Sequence, residues 1–313
     1  MSKPALEPHT AQFVDSLKGG KPMETLTPTD ARNFLSGAQS SIQYNIPAAV
    51  EETTFPVGPT GEVLVKIVRP EGASGTLTPI VYMHGGGWIL GDRNVFDRHI
   101  RSLSIGANAA LFFVEYNRSP ESSFPVAPEQ GYAVLEYVAK NASSLKVDAS
   151  KLVVAGDSVG GNMTAALCLL AKERSGPAVA LQVMFYPAVD SRMNTESYKL
   201  YHDGPYLTGG MMKWFWDAYA LNDEQRSNHI ASPSFATTEQ LRGLPTALIM
   251  TAENDVLRDE GEEFGRQLAK AGVRVTATRY LGTIHDFVLL NAISDTPAAR
   301  GAVAQACQHI RAL

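Results

Sequence analysis

From residue 51 onward, short apolar runs alternate with segments whose apolar residues recur at helical spacing. A polar–apolar alternation around a Gly-Pro-Thr-Gly turn comes first and predicts an edge hairpin, EETTFPVGPTGEVLVKIVRPEG. Runs typical of buried strands follow, with helical patterns between them: TPIVYMHG, ALFFVEYN, SKLVVAGDS, VALQVMFYP, PTALIMTAEND and VRVTATRYLG. Short apolar strands joined by helices predict an α/β fold with a mostly parallel sheet covered on both faces.

Two regions do not follow this alternation. Residues 1–45 carry two helical patterns, and residues 190–232 form an aromatic-rich insertion between two core strands. Neither region contains a core of its own, so we expect the two to form a helical cap over the carboxyl ends of the strands, where open α/β sheets bind ligands. The catalytic α/β domain is then expected to comprise residues 46–189 and 233–313.

Composition narrows the class of protein. The chain has 313 residues, 44% of them hydrophobic, and a formal net charge of -5. Because the chain has no run of like charges, we do not expect a nucleic-acid or anionic-membrane partner. No apolar run approaches 18 residues, and the N-terminus lacks an apolar signal core, so we expect a cytoplasmic protein without a membrane segment. Cys168 and Cys307, both in helical patterns, are then expected to be reduced structural thiols.

A candidate nucleophile lies in LVVAGDSVGGN, where Gly156, Ser158 and Gly160 form a G-x-S-x-G pattern. The pattern falls where a predicted strand ends and a helix begins, which is the context this motif requires. A sharp turn there would expose the Ser158 oxygen above the sheet, and the small flanking residues would permit close backbone packing. The N–H of Val159, at the helix N-terminus, is a candidate oxyanion donor.

A serine hydroxyl needs a base and an orienting carboxylate to act as a nucleophile. Among the histidines after Ser158, only His285, in RYLGTIHDF, follows a predicted core strand, and we take it as the base. The carboxylate is expected in ALIMTAENDVLRDEG. Asp255, just past the strand end, is the preferred candidate, and Glu253 is the alternative.

Three consecutive glycines follow another predicted strand, in IVYMHGGGWILGD. An HGGG loop supplies the second oxyanion donor in lipases and esterases, and fixed backbone N–H groups stabilise the negative charge of a tetrahedral intermediate. Gly86 and Gly87 are the expected donors, together with Val159. Gly85 either shapes the turn or donates as well. His84 precedes the nucleophile in the chain and is expected to brace the loop.

The candidate residues of the substrate pocket are Trp88, Asp157, Tyr206 and Trp214. Trp88 has an equally good interpretation as a core residue. The aromatic residues of the insertion either close a pocket suited to short acyl chains or only attach the cap to the domain. No metal-binding cluster, dinucleotide loop or Walker motif is visible in the sequence, so no cofactor is expected.

Taken together, HGGGW, GDSVGGN, AENDVLRDEG and GTIHDF, in this order, resemble the hormone-sensitive-lipase-like branch of the α/β-hydrolases, the bacterial family IV esterases. The resemblance spans roughly residues 63–287. It implies an eight-stranded sheet with a helical cap, a triad of Ser158, Asp255 and His285, an oxyanion hole in the HGGG loop, and a homodimer through the edge strand near ATRYLG. Asp286 departs from the family pattern, in which glycine is frequent; it either modulates the histidine or binds the cap.

The expected function is therefore that of a carboxylesterase that hydrolyses short- to medium-chain acyl esters through an acyl-enzyme intermediate. Two alternatives remain: an amidase or lactonase with the same triad, and a non-catalytic ligand-binding protein of the same fold. The presence of all three triad candidates argues against the second alternative.

Overall fold

Eight strands form one sheet within residues 3–313, the part of the chain that the computed structural model describes. The strands lie in the order β1-β2-β4-β3-β5-β6-β7-β8. β1 and β2 pair antiparallel with their neighbours, and every other pairing is parallel. The expected mostly parallel eight-stranded sheet is therefore confirmed. The strands are β1 Ala49–Phe55, β2 Val63–Arg69, β3 Thr78–Met83, β4 Ala109–Glu115, β5 Val153–Asp157, β6 Leu181–Phe185, β7 Thr246–Asn254 and β8 Val275–Ile284.

Helices connect the strands and pack on the sheet. The helix after β5 is buried over most of its length because small and apolar residues occupy nearly every position. It contacts three central strands, so its N-terminus is fixed at the sheet's carboxyl edge. The helices are α1 Pro8–Ser16, α2 Pro28–Ser40, α3 Asp97–Ala107, α4 Val126–Lys140, α5 Val159–Glu173, α6 Glu196–Tyr201, α7 Gly209–Tyr219, α8 Asp223–Ser227, α9 Thr238–Leu241, α10 Arg258–Lys270 and α11 Pro297–Arg311.

The N-terminal segment and the insertion after β6 contact each other. A 3₁₀ turn at Met23–Thr25 packs against α7. The rings of Phe13 and Tyr206 have centroids 6.0 Å apart, and Lys3 Nζ donates to the Gly204 carbonyl at 3.2 Å. The two segments that the sequence assigns to a cap are thus neighbours in space. The expected cap segment 1–45 begins with residues 1 and 2, which lie outside the described residues.

Within residues 3–313, no helix is both long enough and apolar enough to cross a bilayer.

Candidate active site

Ser158 occupies a sharp turn between β5 and α5. Its backbone has a positive φ, with φ 54° and ψ -120°. Residues other than glycine rarely adopt this backbone conformation. Three backbone hydrogen bonds hold it there, one of them from Asn162 N to Ser158 O at 3.1 Å. Ser158 N donates to Phe185 O at 2.8 Å, and Ala188 N donates to Ser158 O at 3.1 Å. The serine is therefore presented at a fixed position above the sheet edge.

The glycines on either side of Ser158 are required by close backbone contact. A Cβ at Gly156 would come within 2.3 Å of the Gly160 carbonyl oxygen, and a Cβ at Gly160 within 2.0 Å of the Met83 carbonyl oxygen. Backbone atoms in the core cannot move aside as a flexible side chain can. The G-x-S-x-G spacing thus reflects the way α5 packs against the end of β3.

His285 lies between Ser158 and Asp255. β8 ends at Ile284, and the next residue places its Nε2 atom 2.9 Å from Ser158 Oγ and its Nδ1 atom 2.7 Å from Asp255 Oδ2. The other Asp255 oxygen accepts the Leu257 N–H at 3.0 Å, which fixes the carboxylate. All three side chains are buried. The arrangement allows a proton to pass from the serine hydroxyl to the imidazole while the carboxylate fixes the tautomer.

Glu253, the alternative acid, lies in a different environment. Its Oε2 atom accepts the N–H of Gly282 at 2.9 Å and so links β7 to β8. Asp255, not Glu253, is the carboxylate that the structure brings to His285.

The surroundings of His285 favour its protonated form. Burial alone would lower the pKa of His285, but the carboxylates of Asp255 and Asp286 outweigh that effect and raise it to about 9. The ring of Tyr186 packs edge-on against the imidazole, with centroids 4.7 Å apart. Tyr186 was not selected from the sequence; its only signal there is its position directly after strand β6.

Asp157 lies beneath the glycine loop and not in a pocket. Its side chain is fully buried, and its Oδ1 atom accepts the Tyr82 hydroxyl at 2.7 Å and the Gly85 N–H at 3.0 Å. Burial raises the pKa of Asp157 to about 7, and the charge of Asp286 adds to that rise. The expectation that Asp157 lines a pocket is therefore wrong. Of the two roles expected for Gly85, shaping the turn fits the structure, because its N–H is occupied by Asp157.

Gly86 and Gly87 complete the loop in conformations that favour glycine, with φ of 94° and 62°. Within residues 3–313, no protein acceptor takes the N–H of Gly86, Gly87 or Val159. The aromatic ring of Phe215, from α7, closes over the loop, since a Cβ at Gly87 would lie 2.2 Å from it. Phe215, the chain neighbour of Trp214, is therefore an insertion residue in contact with this loop.

His84 braces the loop from its N-terminal side. The ring stacks on Tyr116 with centroids 4.1 Å apart, and its Nδ1 atom lies 2.8 Å from the Gly85 carbonyl oxygen. Burial lowers the pKa of His84 to about 3, so the ring is neutral across the physiological range. Its position and protonation state both fit a structural contact.

Trp88 is a core residue. Its side chain is fully buried and stacks on Tyr219, with centroids 3.9 Å apart and ring planes 5° from parallel. It also packs against Trp216, with ring centroids 4.7 Å apart. Of the two interpretations of Trp88, the core residue is the one that fits, and the expectation that it lines the substrate pocket is wrong because its side chain is fully buried.

Tyr206 and Trp214 differ in position. Tyr206 lines a cavity of about 690 Å³ between the N-terminal segment and the insertion. Met23, Phe34 and Met211 contribute to the same walls, which are largely apolar. Trp214 does not line this cavity; it is partly buried beside Phe215, with ring centroids 5.2 Å apart. Of the four pocket candidates, only Tyr206 is a wall residue of this cavity.

Known proteins share this architecture. The family described as alpha/beta hydrolase fold matches residues 80–289. A thermostable esterase from Pseudomonas putida is 45% identical, with a TM-score of 0.97 over 100% of this chain and 98% of that one. A hyperthermophilic esterase from the archaeon Pyrobaculum calidifontis is 35% identical, with a TM-score of 0.92 over 98% of each chain. Carboxylesterase NlhH of Mycobacterium tuberculosis is 32% identical over 76% of this chain and 75% of its own length.

The chain therefore belongs to the α/β-hydrolases, in their hormone-sensitive-lipase-like branch. Within that class it is a carboxylic-ester hydrolase.

Proposed function

We propose that the protein is a serine carboxylesterase that cleaves short- to medium-chain acyl esters through a triad of Ser158, His285 and Asp255. The observation that carries this proposal is the continuous buried chain from Asp255 Oδ2 to His285 Nδ1, 2.7 Å, and from His285 Nε2 to Ser158 Oγ, 2.9 Å. Both distances suit proton transfer without rearrangement of the side chains.

Acylation begins when Ser158 Oγ attacks the ester carbonyl and its proton moves to His285 Nε2. The carbonyl oxygen becomes an oxyanion, which the N–H groups of Gly86, Gly87 and Val159 stabilise. Collapse of the intermediate breaks the bond to the alkoxy oxygen, which takes the Nε2 proton and leaves as the alcohol. Water then attacks the acyl-enzyme by the same route and releases the acid. Asp255 stabilises the imidazolium in both halves.

The segments 1–45 and 190–232 are proposed to form the cap that limits the length of the acyl chain. Two observations support this role. Both segments line the cavity that contains Tyr206, whose hydroxyl hydrogen-bonds Asp286 next to the proposed base, and the ring of Phe215 closes over Gly87 of the proposed oxyanion hole. A bulky ring at that place restricts the volume beside the reacting carbonyl, which favours short acyl groups.

Turnover of p-nitrophenyl acetate, butyrate and octanoate by the native chain and by Ser158→Ala tests the proposal. Ser144→Ala, at an exposed serine, is the matched control. We expect the native and control proteins to favour acetate and butyrate, and Ser158→Ala to lose nearly all activity. Full activity of Ser158→Ala would overturn the triad. A parallel set of anilide and lactone substrates shows whether an ester is the preferred class.

We also propose a homodimer in which two copies pair along β8. This strand forms one edge of the sheet, and Leu281 on it is 68% exposed. An edge strand with an exposed apolar side chain is suited to pairing with another strand, although the Gly282 carbonyl of β8 already accepts the Glu7 N–H at 2.8 Å. Light scattering should give twice the chain mass for the native protein and the single mass for Leu281→Arg; a native monomer would contradict the proposal.

The reduced state of Cys168 and Cys307 and the cytoplasmic location stay predictions.

A further inference from the structure

Asp286 directly follows the proposed base and places a second carboxylate on its reactive nitrogen. Its Oδ1 atom lies 3.4 Å from His285 Nε2, the same atom that contacts Ser158 Oγ at 2.9 Å. That oxygen is buried and has no hydrogen-bond partner within residues 3–313. The backbone of Asp286 has φ 63°, in the left-handed region, and this conformation aims the residue at the site.

We propose that Asp286 is a positioning residue for catalysis, which stabilises the His285 imidazolium at Nε2 while Asp255 stabilises it at Nδ1. The inference rests on the proposed triad. Of the two roles that the sequence left open for Asp286, it takes the action on the histidine; a hydrogen bond with the Tyr206 hydroxyl of the insertion accompanies that action.

The effect depends on the protonation state of the ring. In the reactive form of the site, the His285 ring is neutral and its Nε2 atom accepts the serine proton. The lone pair on Nε2 and the Asp286 carboxylate then repel each other. After proton transfer, Nε2 carries an N–H and a positive charge, and the same oxygen attracts it. An interaction that is unfavourable before proton transfer and favourable after it lowers the barrier to the charged transition state.

Titratable groups on neighbouring elements act on both members of the pair, and Asp255 raises the pKa of Asp286 as well as that of His285. Asp255 and Asp157 join Asp286 in raising the pKa of His285, against the opposing effect of burial. Burial raises the pKa of Asp286, whereas the nearby imidazole and the Tyr206 hydroxyl oppose that rise. Tyr206 comes from the insertion, so this segment lowers the pKa of Asp286 against the larger effect of burial. The remaining groups that face the pair are the buried phenols of Tyr82 and Tyr186.

The pH dependence of kcat/KM tests the proposal in Asp286→Asn. Asparagine has nearly the same size, lacks the charge and tolerates a positive φ. Removing the anion should lower the pKa of His285, so the acidic limb of kcat/KM should move down by roughly one pH unit. The plateau should also fall, because the imidazolium loses a partner. A purely structural role would lower the plateau and leave the limb in place, and that result would overturn the proposal.

Asp295→Asn is the control, since that carboxylate is 92% exposed and its charge change should leave the limb unmoved. Asp286→Gly is a second variant that lacks the charge and relieves the strained φ; it should show the same shift if the asparagine variant folds poorly.

A measurement without turnover separates this inference from the triad itself. The ring nitrogens of His285 can be titrated by ¹⁵N NMR in the Ser158→Ala background, with and without Asp286→Asn. The second change should lower the imidazole pKa by roughly one unit, and an unchanged pKa would sink the inference. If Ser158→Ala kept its esterase activity, the triad would fail, whereas the NMR titration would still report on the Asp286–His285 contact.

Discussion

Asp157 Oδ1 accepts the N–H of Gly85 at 3.0 Å. This single contact joins the residue before the proposed nucleophile to the first glycine of the proposed oxyanion loop, across 72 positions of sequence. It also commits one of the three loop N–H groups to the scaffold, so Gly86 and Gly87 are the two that can face a substrate. The distance between nucleophile and oxyanion donors therefore depends on a buried carboxylate.

Replacing Asp157 with alanine should destabilise the protein and lower kcat. The change leaves the Gly85 N–H and the Tyr82 hydroxyl buried without an acceptor, at a cost of about 1–3 kcal/mol each. Asp157→Asn retains an acceptor oxygen and is the matched control; it should lose much less stability. Urea unfolding and kcat for p-nitrophenyl butyrate provide the comparison. Equal stability of the alanine and asparagine variants would mean that these two hydrogen bonds contribute nothing measurable.

Gly160→Ala should prevent folding or remove activity. The new Cβ would sit 2.0 Å from the Met83 carbonyl oxygen, which belongs to a buried strand and cannot yield. A loss above about 4 kcal/mol is expected, in the range reserved for severe core disruption. Gly37→Ala is the control, because a Cβ there meets nothing within 4 Å. That change, in the exposed interior of α2, should raise stability by about 0.5–1 kcal/mol. Thermal unfolding of both variants tests the pair.

Phe215→Ala should shift chain-length preference toward longer esters. The ring covers Gly87, so its removal opens space beside the proposed oxyanion hole. We expect the ratio of kcat/KM for octanoate over acetate to rise about tenfold, the scale of hydrophobic discrimination in enzyme pockets. Leu221→Ala, at a side chain 63% exposed, should leave the ratio unchanged. An unchanged ratio of kcat/KM in Phe215→Ala would mean that this ring of the proposed cap does not limit the length of the acyl chain.

The activity of the native protein should rise with pH into the alkaline range. Neutral His285 is the form that accepts the serine proton, and its pKa is raised to about 9 because Asp255 and Asp286 outweigh burial. As pH falls through that value the ring becomes charged and kcat/KM falls with it. A profile of kcat/KM from pH 5 to 10 measures the limb. A plateau that begins near pH 6 would mean that the two carboxylates do not act on the free enzyme in this way.

The strand–helix order and the three proposed triad positions could be predicted from the sequence for a physical reason. Buried parallel strands are continuous apolar runs, and catalytic groups of this fold follow strand ends in a fixed chain order. Asp255 and His285 could thus be selected from local context. The preference for Asp255 over Glu253 follows from its place just past the strand end, and the structure adds that Glu253 accepts the Gly282 N–H instead.

The errors concern contacts between distant parts of the chain. Trp88 is a core residue because Tyr219, on a helix of the insertion, stacks on it. Nothing near Trp88 in the sequence carries that information. The role of Asp157 likewise depends on the Gly85 N–H coming within 3.0 Å. Side chains whose environment is made by a remote segment cannot be assigned from periodicity or motif.

The most direct test of the account is to find which residue becomes covalently modified during catalysis. The native enzyme can be treated with diethyl p-nitrophenyl phosphate, which transfers its phosphoryl group to an activated serine, and the labelled peptide sequenced by mass spectrometry. The account predicts one diethylphosphoryl group per chain, on Ser158, with activity lost in proportion to labelling. A label on another residue, or complete inactivation with Ser158 unmodified, would contradict the proposed triad.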